Sequence, residues 1–342
     1  MAAIKKKWWQ GKNGPLLIAE IGANHEGNFN YAKKLLKICS KTNVDVVKFQ
    51  IYEGSSIVNK ILAPEKYNHF KKFELTKKQH LFLASMAKKL GMKYLSSVWN
   101  KKDLKWISRK MDFFKIGSGD LNAYEIINEI CKYKKPIILS TGLSEFKEVE
   151  KTIKFIRSRN NFYKIKENIA ILQCTSCYPT NSDELNLSVI KSYEKKGFIS
   201  GYSHHHPSSL PLEIAYAYGA KIFEFHFTDS RKNRKFRDHK ISLDYKRTRN
   251  LVKKFKEIQK MSGISQKKPT ENEIKLGYIK SFRRGLYLNK SLKKGDIVRK
   301  KDLVSLRPAE GIPSNFYFKI LNKKLKKNIT KLSKMSLKDF SL

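Results

Sequence analysis

The sequence predicts an α/β protein, a (β/α)8 TIM barrel followed by a small β-rich domain, on three observations. Short β-branched or aromatic runs alternate with lysine-spaced amphipathic stretches of helical length over roughly the first 230 residues. Nearly every run ends in an ionisable or hydroxyl residue, and a barrel builds its site from the C-terminal ends of its strands. Past Gly263 the pattern gives way to short strands separated by turn residues. The length of 342 residues fits, because at roughly 150 residues per domain it holds about two domains, or one barrel with an appendage.

The strands are expected at 16–22, 44–50, 93–97, 113–117, 136–141, 169–175, 198–203 and 221–227. The helices between and after them are expected at 31–41, 76–90, 101–109, 124–131, 144–156, 184–195, 209–218 and 243–260. A doubly wound open sheet alternates in the same way, so the count alone does not decide the topology. The strand ends decide it. In order they carry Glu20, Lys48, Ser97, Lys115 with Ser118, Ser140 with Thr141, Gln173 with Thr175, Ser203 with His205, and Glu224 with His226. Partly buried charges destabilise by several kcal/mol unless they are paired or used, so this ring points to an enzyme rather than a scaffold.

The barrel domain is expected over 1–265, a polar lysine-rich linker over 266–281, and the small domain over 282–342, with strands at 286–288, 297–298 and 303–306. A unit of about 60 residues is marginal by itself and calls for support from another surface.

Composition excludes several classes. Hydrophobic residues at 40% and aromatics at 12% rule out a disordered polyelectrolyte. No apolar run approaches the roughly 20 residues of a membrane span, and the first nine residues lack the apolar core of a secretory signal, so a cytoplasmic protein is expected. The net charge of +42 invites a nucleic-acid reading, but the lysines are scattered (Lys33, Lys34, Lys37; Lys88, Lys89; Lys253, Lys254) and no recognition motif accompanies them. No specific nucleic-acid partner is expected. Four cysteines are too few for a disulfide framework, and Cys174 and Cys177 form a C-x-x-C with no second pair to complete a zinc site.

Eight motifs occur in order: Ile18-Ala-Glu-Ile-Gly-Ala-Asn-His-Glu-Gly27, Val46-Val-Lys-Phe-Gln50, Lys115-Ile-Gly-Ser-Gly-Asp120, Leu139-Ser-Thr-Gly142, Cys174-Thr-Ser-Cys-Tyr-Pro-Thr180, Gly201-Tyr-Ser-His-His205, Glu224-Phe-His-Phe-Thr228 and Asp238-His-Lys-Ile-Ser-Leu243. Together they resemble the sialic acid synthase family, whose members condense phosphoenolpyruvate with an N-acetylmannosamine-type amino sugar to make nonulosonic acids. Lys293-Lys-Gly-Asp296, Leu306-Arg-Pro308 and Gly311-Ile312 resemble the family's antifreeze-like, or SAF, domain. The resemblance implies a TIM barrel plus SAF domain in a domain-swapped homodimer, with Arg307 reaching the sugar in the partner's barrel.

It also implies roles. Phosphoenolpyruvate needs cations and hydroxyl donors at fixed positions, and Lys48, Ser97, Lys115, Ser118, Ser176 and Ser203 match its binding positions. His205 and His226 match the ligands of a divalent metal, Mn2+ or Mg2+, which would polarise the sugar aldehyde, with Glu224 and Asp238 around them. Glu20 matches an active-site glutamate and is the candidate general acid/base; its plainer reading is a salt bridge to Lys48. Glu20, Lys48 and Lys115 are the catalytic candidates, and Glu20, Tyr178, Asp238 and Arg307 the sugar-binding ones. Departures from the family pattern fall on the sugar side. His204 replaces an aspartate, Lys235-Phe-Arg237 replaces a Pro-Gly-Pro, Asp120 replaces a glutamate, and 57–75 has no clear counterpart to the sugar-binding loop. The acceptor is therefore open to legionaminic- or pseudaminic-type precursors. A non-catalytic sugar-binding relative and an anionic-polymer binder are the competing readings.

Overall fold

The computed structural model describes residues 8–341. Eight parallel strands close into a barrel: β1 (Gly14–Glu20), β2 (Val46–Ile51), β3 (Lys93–Val98), β4 (Phe114–Ile116), β5 (Ile137–Ser140), β6 (Ile169–Cys174), β7 (Ile199–His204) and β8 (Ile222–His226). Each pairs with the next, and β8 pairs back onto β1 through Glu20 opposite His226. Closure leaves no edge, and both faces of each strand are covered, which is why Leu16, Leu17, Ile18 and Ala19 form an unbroken buried run. Gly201 on β7 is required by space: a Cβ there would stand 2.4 Å from the Ile222 carbonyl and from Leu172.

The main helices follow the strands: α1 (Phe29–Ser40), α2 (Lys77–Lys89), α3 (Lys101–Ile107), α4 (Tyr124–Cys131), α5 (Phe146–Arg159), α6 (Val189–Lys195), α7 (Leu210–Ala217) and α8 (Tyr245–Ser262). Local chemistry starts them. Asn28 caps α1 by accepting from the Tyr31 N–H, Thr76 and Gln79 form a reciprocal capping box on α2, and Asp244 caps α8 at the Arg247 N–H. The helix expected from residue 184 begins at Val189, because a 3-10 turn at Ser182–Glu184 and a left-handed Asn186 intervene. Three short helices lie outside the expected pattern: Gly54–Ile57, Pro64–Phe73 and Asp238–Ile241. Each sits in a loop at the barrel mouth, and the two four-residue ones are too short to show a helical period.

The chain divides into two compact units, Met1–Gly263 and Ile264–Leu342. In the second, β9 (Gly285–Leu288) pairs antiparallel with β10 (Leu303–Leu306), and Leu286, Leu288, Val298, Ile320, Leu325 and Phe340 form a separate core. The strand expected at 297–298 is a single bridge, Ile297 to Lys324, since Val298 packs into the core while its neighbours turn away. The stretch expected as linker, 266–281, carries two short helices, Glu271–Lys275 and Tyr278–Ser281, the first started by a Thr270/Glu273 capping box. No helix among the described residues is long and apolar enough to cross a membrane.

Candidate active site

Register brings the strand-end residues together. Neighbours paired in parallel strands point the same way, so Glu20 stands beside both Lys48 and His226, Ser97 beside Lys115, Cys174 beside Ser203, and Ser203 beside Glu224. All face the barrel axis at its C-terminal mouth. Among Glu20, Lys48, Ser97, Lys115, Ser203, Glu224, His205, His226 and Asp238 none is more than 6% exposed.

At the centre is a buried four-charge network. The Lys48 Nζ lies 2.8 Å from the Glu20 Oε2 and 3.7 Å from the Glu224 Oε2, while the Lys115 Nζ lies 3.4 Å from the Glu224 Oε1. Gln50 donates to the Glu20 Oε1 at 3.0 Å and Ser203 to the Glu224 Oε1 at 3.3 Å. Two cations and two anions in one dry space compensate each other, without which the site would destabilise the barrel by several kcal/mol. Burial pushes the Glu20 carboxyl above its usual range, against the pull of Lys48. Glu224 goes the other way: burial would raise it, but Lys115 and Lys48 together hold it down at about 2. Lys115 falls below the usual lysine range because burial outweighs the attraction of Glu224. Among the described residues its ammonium otherwise bonds only the Ile116 carbonyl, at 3.5 Å, so it has donors left for an incoming anion.

Beside Lys115 is a small donor cradle. The Gly142 N–H donates to the Ser118 Oγ at 3.0 Å, and a Cβ on Gly142 would lie 2.5 Å from the Ser176 Oγ and 2.9 Å from the Ser118 Oγ. Three loops thus converge on a space that the missing side chain of Gly142 keeps open, and a phosphate or carboxylate fits its chemistry. A cavity of about 860 Å3 lies beside it, lined by Thr141, Ser144, Cys174, Tyr193 and Lys196 among others and sharing with the cradle Ser176 alone.

On the β7–β8 side the two histidine rings stand 5.5 Å apart. His205 Nδ1 donates to the Thr175 carbonyl at 2.8 Å, so in the neutral ring the Nε2 lone pair is free, although, against burial, Cys174 and that carbonyl raise the pKa of the ring. His226 Nδ1 is buried without a hydrogen-bond partner, 3.7 Å from the Asp238 Oδ2. Tyr178 covers both histidines, its ring 4.1 Å from His205 and edge-on to His226 at 6.0 Å, and the Arg237 guanidinium lies 4.8 Å over that tyrosine. Burial raises Asp238, against Arg237 at 3.3 Å, and drives His226 well below the usual histidine value. Cys174 approaches His205 at 3.8 Å; burial would raise its thiol, but His205 pulls it down to about 7. Cys177 is exposed and free.

The structure gathers the candidate catalytic, binding and metal residues of the barrel at its mouth, whereas the strand-end residues Thr141, Gln173 and Thr175 turn to Tyr193, the Leu185 carbonyl and the Glu184 carbonyl instead. Arg307 lies in the second unit, where it lines a cavity of about 410 Å3 with Tyr287, Pro308, Glu310 and Lys334. Reading the sequence alone missed two contributors: Gln50, which fixes Glu20, and the Gly142 N–H, which orders the cradle. Ser140, expected at its strand end, lies on the Lys115 face of its strand and has a buried Oγ with no partner among the described residues. Alternation flags Gln50, two residues past Lys48, and Ser140 ends β5. A backbone N–H leaves no mark in sequence.

A family model described as the NeuB family matches residues 35–267. The chain belongs to the NeuB family. Relatives include the N,N'-diacetyllegionaminic acid synthases of Campylobacter jejuni, 32% identical over 92% of this chain and 96% of that protein, and of Legionella pneumophila, 30% identical over 92% and 91%. Among solved structures, the N-acetylneuraminic acid synthetase of Leptospira borgpetersenii is 27% identical with a TM-score of 0.71, covering 78% of this chain and 92% of that one. The resemblance drawn from the motifs therefore holds over the barrel. The matched residues end at 267, short of the segment expected to be antifreeze-like.

The family resemblance implies a divalent metal, and the residues fit one. Among the described residues no group of three or more His, Cys, Asp or Glu is arranged around a single point. Two imidazoles, one with its other nitrogen tied to a carbonyl and one with a buried unpartnered nitrogen, suit an ion that takes its remaining positions from water and substrate oxygens.

Proposed function

We propose that this chain is a nonulosonic acid synthase, condensing phosphoenolpyruvate with an N-acetylated amino sugar and releasing phosphate. The observation that carries this reading is the closed network of Glu20, Lys48, Lys115 and Glu224 beside the Ser118, Ser176 and Gly142 cradle, in a NeuB barrel. Lys115 and the cradle hold the phosphate of phosphoenolpyruvate, and Lys48 with Ser97 and Ser203 holds its carboxylate side. Tyr178, Asp238 and Glu20 orient the open-chain sugar on the β7–β8 side, where its aldehyde carbon faces the enol C3. A Mn2+ or Mg2+ ion held by His205 and His226 would supply Lewis acidity toward the aldehyde oxygen.

Bond formation between C3 and the aldehyde carbon leaves an electron-poor C2, to which water adds. The C2–O bond then breaks, phosphate departs with its electron pair, and a ketone remains. Glu20 is the group to move the protons of this step. Burial raises its pKa against the pull of Lys48, the Gln50 amide fixes its Oε1, and Lys48 at 2.8 Å stabilises the anion when it forms.

The relatives named as N,N'-diacetyllegionaminic acid synthases direct the acceptor toward a di-N-acetylated deoxyhexose. Arg307 of a second copy completes the sugar site in a domain-swapped homodimer, and residues 282–342 serve as the SAF domain that delivers it. Phosphate release from phosphoenolpyruvate with Mn2+, measured against N-acetylmannosamine and the 2,4-diacetamido-2,4,6-trideoxyhexoses in parallel with product mass, tests the proposal. Turnover dependent on one sugar and on metal supports it. Silence with every sugar overturns it.

A further inference from the structure

The segment between β8 and α8 carries Asp238 to the site, yet the turn that presents it, Asp238–Ile241, is four residues long. So short a helix does not hold its own geometry. Its flanks, Lys235 and Arg237, are exposed. The segment is nevertheless tied at three points, and each tie runs to β1, α1 or the loop joining them. Asp229 accepts from Tyr31 Oη at 2.7 Å and from Lys34 at 3.0 Å, and pairs with Arg234 at 3.0 Å. The Asn24 amide donates to the Ser242 Oγ at 2.8 Å, and that hydroxyl donates to the Asp238 carbonyl at 2.6 Å. The third tie is His239, whose side chain is fully buried.

We infer that His239, linked at one ring nitrogen to Thr228 and at the other to Glu26, is a positioning residue that locks this turn and so sets the Asp238 carboxylate beside His226. Its Nδ1 lies 2.7 Å from the Thr228 Oγ1 and its Nε2 lies 3.2 Å from the Glu26 Oε1. Glu26, as a carboxylate, can only accept, so Nε2 carries the hydrogen and Nδ1 accepts the Thr228 hydroxyl proton. Burial, which lowers the pKa of His239, agrees with this neutral form. The ring thus spans from the end of β8 to a loop residue after β1, and both of its nitrogens are used. Asp238 immediately precedes His239 in the chain and lies 3.7 Å from the His226 Nδ1, which has no hydrogen-bond partner among the described residues.

The inference rests on the proposed function in taking the His205 and His226 pair as a metal site, so its test reads metal binding apart from turnover. Mn2+ is titrated into the full chain without substrates and the free ion is followed by electron paramagnetic resonance. Partners that orient a metal site are worth about 10–100-fold in affinity, so His239→Ala raises the half-saturating Mn2+ about tenfold while the phosphoenolpyruvate KM stays within about twofold. His239→Gln, which can donate and accept at its tip, recovers part of the loss. Glu26→Gln, which keeps an acceptor for Nε2–H, stays near wild type, and Glu26→Ala does not. Because Glu26 is 38% exposed, that second pair carries the test if the buried substitution fails to fold.

Wild-type Mn2+ affinity in His239→Ala, or equal behaviour of Glu26→Ala and Glu26→Gln, overturns the inference. So does an equal rise in both substrate KM values together with a lowered Tm, which marks a merely structural residue. No Mn2+ binding by the wild-type chain removes the site that the brace serves and the inference with it. Absence of phosphate release with every sugar overturns the proposed function alone, and the Mn2+ titrations still judge the brace.

Discussion

Lys115 combines full burial, one carboxylate at 3.4 Å and a depressed pKa, and its role depends on keeping its proton. A charge-assisted contact to phosphate contributes about 2 kcal/mol, so Lys115→Ala raises the phosphoenolpyruvate KM roughly 30-fold while the sugar KM changes little, as steady-state phosphate release will measure. The pH sign follows from the direction of the shift. A lysine whose pKa is lowered loses its charge at lower pH than an ordinary one, so kcat/KM for phosphoenolpyruvate falls along an alkaline limb that begins below 10.5. Lys115→Arg moves that limb upward, because the guanidinium does not titrate there. Across the barrel, His226→Ala leaves a folded protein without metal-dependent turnover, a loss of at least about 100-fold. Full activity in that variant removes His226 from the ligand set. The sequence placed Glu20 and Lys48 on neighbouring strand ends and left two readings, catalysis or a salt bridge. The 2.8 Å contact shows the salt bridge, and burial raises the Glu20 carboxyl against that pull, so the salt bridge does not exclude the proposed proton-transfer role.

At the scale of elements, the mouth of the barrel is made by loops whose close approach tolerates little added volume. Gly142, between β5 and α5, has no unusual φ, so alanine strains no backbone there, but the new Cβ meets Ser176 and Ser118 at 2.5 and 2.9 Å. Gly142→Ala therefore raises the phosphoenolpyruvate KM about tenfold, with circular dichroism and Tm near wild type. An unchanged KM would detach the cradle from substrate binding. Strands and long helices were legible because buried parallel strands read as continuous apolar runs and the helices carry amphipathic periods and caps. The helix Pro64–Phe73 was not, because its residues are mostly exposed and its hydrophobic side is an aromatic cluster: Phe73 packs on Phe236 at 5.1 Å, while Phe70 meets Tyr52. That cluster exists only once the β2 and β8 loops meet. The pair Ile297 and Val298 reads as a strand for the converse reason, since two β-branched residues in a row suggest one, but the partner stretch 322–325 meets them through a single bridge and its flanking bonds.

For the molecule as a whole, the proposed role of Arg307 makes different predictions for the two substrates. Arg307→Ala is expected to raise the sugar KM more than that of phosphoenolpyruvate, and equal effects on both would sink the cross-subunit contact. The charge of +42 is spread over the surface, so binding to duplex DNA should appear at low ionic strength and be lost by about 0.2 M salt, which a titration of salt against retained DNA will show. Binding that persists there would revive the anionic-polymer reading. By itself the sequence determined the barrel, the strand count, the family and nearly all of the candidate residues. Those properties follow from patterning, from which residue types end each strand, and from short motifs carried in order. Tertiary structure alone decided which charges neutralise which, that the Gly142 N–H joins the cradle, and that His239 ties the Asp238 turn to a residue more than two hundred positions earlier. The reason is physical: register and loop packing set distances of a few ångströms between residues remote in the chain, and no local pattern of side chains encodes them.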